Sequence, residues 1–154
     1  MRRDGRGQVI VEVLLILPVF LWLVFSIMEI GHLAFRAILL HHAAYEVARY
    51  GSLSAGGTFI PSLSDCGSEP NPDRAAMRSV AEKILPKLRD MQVTMSSPRP
   101  DPQSGCTNFD LIVTLKQDVP MIFPMTGVWL ADKGSRTRLM VASVPMPVEK
   151  PLYK

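Results

Sequence analysis

The run Val9-Ile10-Val11-Glu12-Val13-Leu14-Leu15-Ile16-Leu17-Pro18-Val19-Phe20-Leu21-Trp22-Leu23-Val24-Phe25 decides how this 154-residue chain is to be read. Only Glu12 and Pro18 interrupt its apolar character. Between Glu12 and Glu29 lie sixteen residues without a charge. Extending past both acids gives about 25 positions, enough to cross a ~30 Å hydrocarbon core. A carboxylate in such a run costs roughly 2.5–3.5 kcal/mol when central and less near the headgroups. Glu12 therefore reads as functional, the bland alternative being a helix-start acid that snorkels to the headgroups. Arg2, Arg3 and Arg6 precede the run, which predicts an N-terminus on the inner side and the remainder outside. Pro18 predicts a kink or a loosened turn, which membrane helices tolerate.

A cleavable secretory signal shares the basic start and apolar run. It requires small residues just after that run, and Met28-Glu29-Ile30-Gly31-His32-Leu33-Ala34 offers no good pair. Helical periodicity also continues: Leu33, Ile38, Leu39, Leu40, Ala43, Ala44, Val47 and Ala48 stay apolar among Arg36, His41, His42, Glu46 and Arg49. Gly51-Ser52 then supplies a stop signal. The expectation is one membrane-and-stalk helix, not cleaved by signal peptidase, from about Val9 to Tyr50, roughly 60 Å long at 1.5 Å per residue.

The length leaves room for one membrane segment and one compact domain of about 100 residues. Hydrophobic residues make up 47% of the chain, but many of them fall in the first fifty positions, so the figure does not describe one soluble globule. From Gly51 onward there are 12 Lys/Arg against 10 Asp/Glu, a balance that excludes a single-signed field for steering nucleic acid. Cys66 and Cys106 form neither a CxxC redox pair nor part of a zinc quartet. In a domain outside the cytoplasm they read as one structural disulfide. It would close a loop of about 40 residues, worth roughly 4 kcal/mol in the chain-entropy model.

After the Ser/Gly/Pro-rich stretch 52–72, Asn71-Pro72 looks like an N-cap followed by proline at the first helical position. Met77, Val80, Ala81, Ile84, Leu85, Leu88 and Met91 then follow helical spacing, with Pro86 expected to kink that helix. Val93-Thr94-Met95 begins a short strand. Phe109, Leu111, Val113 and Leu115 alternate with Asp110, Ile112, Thr114 and Lys116 as a half-buried strand, and Thr137 to Val144 forms another. The predicted class is α+β: a long N-terminal transmembrane and stalk helix, then an amphipathic helix on a short antiparallel sheet. Between the strands, the apolar connection containing Phe123 and Trp129 either plugs its own domain or meets another subunit. The tail from Pro145 onward is expected to fray.

The sequence holds no Gly-rich phosphate loop, nucleophile elbow, HExxH or paired-carboxylate arrangement, so no catalytic residue, metal site or cofactor is assigned. His41 and His42 diverge by about 100° on a helix and do not converge on one metal. Glu29, His32 and Arg36 share a helix face at the outer membrane boundary. They read as an interfacial ion cluster or as a contact to an adjacent helix.

Gly7-Gln8-Val9-Ile10-Val11-Glu12 resembles the Gly-xxxx-Glu processing site of type IV prepilins. Val11-Glu12-Val13-Leu14-Leu15-Ile16-Leu17-Pro18, Glu29-Ile30-Gly31 and Ala43-Ala44-Tyr45-Glu46-Val47-Ala48-Arg49-Tyr50-Gly51 resemble the corresponding stretches of TadE-like proteins. The resemblance implies a minor pilin or pseudopilin of the Tad (Flp, type IVc) pilus system, with a role in pilus biogenesis or adhesion and no enzymatic activity. It divides the chain into a leader (1–7), a transmembrane and stalk helix (8–51), an extracytoplasmic domain (52–147) and a flexible tail (148–154).

A prepilin peptidase would cut after Gly7 and leave Gln8 as the mature N-terminus. Glu12 would set subunit register by pairing with a neighbour's new amino group. The implied partners are that peptidase, other Tad pilins and minor pilins, an inner-membrane assembly platform and the lipid bilayer, with no nucleic acid. The implied location is the bacterial inner membrane, with the N-terminus cytoplasmic. Gln8 and Val13 depart from the family pattern, which has Phe or Met first and an aromatic residue after the glutamate. A secretion-machine pseudopilin and a plain membrane-anchored binding module are the alternative readings.

Overall fold

A computed structural model describes residues 6–57, 70–100, 107–123 and 126–148 of the chain. Its elements are α1 (Arg6–Gly57), α2 (Arg74–Ile84), β1 (Asp90–Met95), β2 (Arg99–Pro100), β3 (Thr107–Asn108), β4 (Asp110–Pro120), α3 (Gly127–Leu130) and β5 (Thr137–Pro147). The class is α+β, a long N-terminal apolar helix followed by a small antiparallel sheet with a short helix. Two compact units emerge, one of Met1–Arg36 with Val119–Arg138 and one of Ala37–Asp118 with Leu139–Lys154.

In the second unit the sheet order is β1-β4-β5, and β1 runs antiparallel to β4 with Val93 opposite Val113 and Met91 opposite Leu115. The alternation read from the sequence sends Leu111, Val113 and Leu115 fully inward. Met77, Ala81 and Leu85 meet them from α2 and its C-cap, and Ala142 from β5. Leu40, Ala43, Ala44, Val47 and Ala48 complete the same core. Those five positions follow i, i+3, i+4, i+7 and i+8, the stripe by which a helix faces a core. The part of α1 read as a stalk is thus a core helix of this unit.

Gly51-Ser52 does not end α1, which continues to Gly57. Gly51 is buried, and a Cβ built there would lie 2.5 Å from Leu111 Cδ2 and 2.6 Å from Met77 Cε. The glycine serves close approach of side chains to the helix, a role that leaves the same sequence mark as a C-cap. The start of α2 also differs from expectation. Its N-cap is Asp73, whose Oδ1 accepts the N–H groups of Ala75 and Ala76 at 3.1 and 3.0 Å. Pro86 ends α2 rather than kinking it: the residue before a proline is steered out of helical geometry, and Leu85 is the C-cap at φ −125°, ψ 85°. Leu88 therefore falls beyond the helix and Met91 in β1. Pro145, Met146 and Pro147 belong to β5, and Val148 N–H donates to the Phe109 carbonyl at 3.1 Å, so this part of the tail is held. Residues 149–154 lie outside the described residues, as do Cys66 and Cys106 with the disulfide expected of them.

The first unit contains the N-terminal part of α1, the end of β4, the connection through α3 and the beginning of β5. The helix continues through Pro18. Val9, Ile10, Val11, Val13, Leu14, Leu15, Ile16, Leu17, Val19, Phe20 and Leu21 are all exposed in the single chain. A helix apolar on every side needs lipid or other helices around it.

Candidate functional site

Two features of the first unit are candidates for function. One is the exposed N-terminal length of α1 with Glu12. Gly7 and Gln8 fall in its first turn, and Glu12 follows one turn after Gln8, exposed among apolar side chains. Val9, Ile10, Val11 and Val13 around it are likewise exposed.

The other feature is Glu29. It is 0% exposed, the only acid among the described residues that are buried. Both carboxylate oxygens accept Ile122 N–H at 3.2 Å, and Oε2 also accepts Phe123 N–H at 2.9 Å. The Thr126 hydroxyl lies 3.2 Å from the same Oε2 and 2.8 Å from the Phe123 carbonyl oxygen, a donor shared between two acceptors. One helical turn earlier, Phe25 stacks on Phe123 with ring centroids 4.9 Å apart and planes 14° apart. Residues i and i+4 of α1 thus grip the connection after β4, one by its ring and the other by its amides.

This arrangement corrects the reading of Glu29, His32 and Arg36 as a boundary ion cluster. The Glu29 hydrogen bonds go to residues 122, 123 and 126, not to His32 or Arg36. Backbone donors leave no mark in a sequence, so the contact was hidden. The single available signal was an acid at the end of an apolar run together with an apolar, proline-bounded connection elsewhere.

Phe123 and Trp129, read together as a partner loop, have different fates. Phe123 packs on α1, whereas Trp129 is 77% exposed and Val128 82% exposed. Trp129 and Leu130 nevertheless share an open apolar groove with Trp22, Ser26 and Ile30 of α1. Among the described residues no group of three or more His, Cys, Asp or Glu side chains converges as a metal site.

By class, this is a chain with one helix long and apolar enough to cross a membrane, carrying a small α+β domain. Residues 7–49 match the TadE family model, described as TadE-like protein. The chain is TadE-like over that segment, consistent with membership of the family. That family is structural and non-enzymatic, and the match points to a pilin-like protein associated with the Tad pilus and its components. No curated protein and no solved structure matches the chain significantly.

Proposed function

We propose that this protein is a single-pass, inner-membrane minor pilin-like subunit of a Tad-type pilus system. In this reading a prepilin peptidase cuts after Gly7, on the cytoplasmic side, and frees the amino group of Gln8. The apolar length of α1 holds the precursor in the bilayer and later packs against other pilin helices, where Glu12 pairs with a neighbour's amino group. The domain beyond the membrane contributes to pilus biogenesis or adhesion without catalysis. One observation carries the reading: the TadE-like match begins at Gly7, five residues before Glu12, on a helix exposed along its apolar face. Lipid serves such a surface before assembly and neighbouring helices serve it afterwards.

N-terminal sequencing of the membrane-extracted protein, made with and without a co-expressed Tad-type prepilin peptidase, tests the proposal. The expected result is a chain beginning at Gln8 with the peptidase and at Met1 without it. A chain that begins at Met1 in both preparations would leave an ordinary anchored domain.

A further inference from the structure

We infer that residues 121–123 and 126–130 dip into the lipid leaflet at the C-terminal end of the membrane span, with Val128 and Trp129 as the inserted face. The inference rests on the membrane-anchor reading of α1 and adds a second lipid-binding element to it. A span of about 20 residues beginning at Val9 ends near Met28. Phe25, on which Phe123 stacks, and Trp22, which shares a groove with Trp129, come before that end. At 1.5 Å per residue they lie about 6 and 10 Å deeper than Glu29. Whatever packs on them lies below the headgroups, at the depth of about 5–10 Å that interfacial elements reach.

The composition of the segment agrees with that depth. No charged residue occurs between Asp118 and Asp132, and the charges Asp132, Lys133, Arg136 and Arg138 all follow α3. Ile122, Val128 and Trp129 expose their side chains, on the same unit whose helix exposes Ile27, Met28 and Ile30. The exposed apolar surface is continuous in character with the span, and lipid is the occupant that serves both. Tryptophan is enriched at this level of a bilayer because its ring is apolar and its N–H polar.

Non-helical backbone at membrane depth is tolerated only where its polar groups are satisfied by protein or by enclosed water. Glu29 meets part of this requirement. Its carboxylate takes the N–H groups of Ile122 and Phe123, and the Thr126 hydroxyl reaches the Phe123 carbonyl. Trp129 and Leu130 N–H groups close on the Thr126 carbonyl at 3.1 and 3.0 Å. An acid in the membrane helix thus supplies the acceptors that a dipping segment would otherwise seek from water.

The test is made on the full-length chain carrying Trp22→Phe, reconstituted at one copy per phosphatidylcholine nanodisc. Trp129 is then the sole tryptophan, since the chain has two. The expected result is blue-shifted emission, protection from aqueous iodide, and stronger quenching by doxyl lipids labelled near the headgroup than by those labelled at the chain end. The difference spectrum between the parent protein and Trp129→Phe reads the same signal without altering Trp22. Emission typical of water with full iodide access overturns the inference. So does blue-shifted emission indifferent to doxyl lipid, which would place the ring against protein. Alkaline carbonate extraction of vesicles separates the two failures: release of the protein refutes the anchor and the inference together, whereas retention with a water-exposed Trp129 refutes the dipping segment alone.

Discussion

The Glu29 carboxylate accepts the backbone N–H of Phe123 at 2.9 Å, joining residues 94 positions apart. The Phe123 ring rests on Phe25, one turn away on the same helix. An acid that ends the uncharged run of α1 therefore orders a segment encoded near the other end of the chain. The contact explains why an acid at that position is compatible with full burial: its oxygens are occupied by donors that would themselves be costly to leave without acceptors.

Replacing Glu29 by Ala should strand the amides of Ile122 and Phe123. Each such loss costs about 1–3 kcal/mol when the group stays buried. Glu29→Gln keeps one carbonyl acceptor and should cost less. Limited trypsin digestion of detergent-solubilised protein reads the difference at Lys133, Arg136 and Arg138. Cleavage there should be fastest for Glu29→Ala, intermediate for Glu29→Gln and slowest for the parent. Equal rates in all three would mean that the hydrogen bonds do not order the segment.

What the sequence made legible was local and periodic. The alternation through Leu111, Val113 and Leu115 announced β4, and the spacing of Met77, Ala81 and Leu85 announced the buried face of α2. The signals that misled were also local. Asn71-Pro72 and Asp73 are all credible helix-start residues, and Asp73 prevails because its carboxylate reaches two free amides. Pro86 announces an interruption without saying whether the helix resumes. The partners of Glu29 could not be read from sequence, because they are backbone groups whose position depends on the whole course of the chain from β4 into β5.

Gly51 gives a prediction whose sign tests the close approach of Leu111 and Met77 to the helix. In an exposed helix position Gly→Ala gains about 1 kcal/mol through propensity. At Gly51 the added methyl would meet Leu111 and Met77, both fully buried. Overpacking of this kind costs typically 1–3 kcal/mol, and the gain in propensity offsets only part of it. Gly51→Ala should therefore lower the urea midpoint of the domain, and the cost of the same substitution should shrink in a Met77→Ala background, where the methyl has room. An unchanged or raised midpoint in the single variant would mean that the methyl fits without displacing Leu111 or Met77 and would reject the close-approach role.

Cys66 and Cys106 give a prediction that rests on sequence alone. If they are joined outside the cytoplasm, the loop of about 40 residues confers roughly 4 kcal/mol by restricting the unfolded chain. Non-reducing electrophoresis of membrane-extracted protein should show a faster-migrating form that reductant abolishes. The double variant Cys66→Ser/Cys106→Ser should migrate like the reduced protein and denature at lower urea. Two alkylatable thiols in protein never exposed to reductant would reject the bridge.

Glu12 tests the register role directly. On the proposed reading, cutting after Gly7 would leave a new ammonium group one helical turn before this carboxylate, on a surface that lipid or neighbouring helices must cover. Pairing between copies in low dielectric adds little net stability, but removal of one partner from a buried pair costs about 3–5 kcal/mol. At 1.4 kcal/mol per factor of ten, the lower bound is a loss of about a hundredfold in the assembly equilibrium. Glu12→Leu should therefore be cut after Gly7 and accumulate in the membrane in normal amounts, while the share recovered with sheared surface pili collapses. Glu12→Gln keeps a polar partner for the ammonium and should fall between Leu and the parent. Immunoblots of matched membrane and pilus fractions read both steps separately. Normal recovery of Glu12→Leu in the pilus fraction would assign the acid to the headgroups and remove it from subunit pairing.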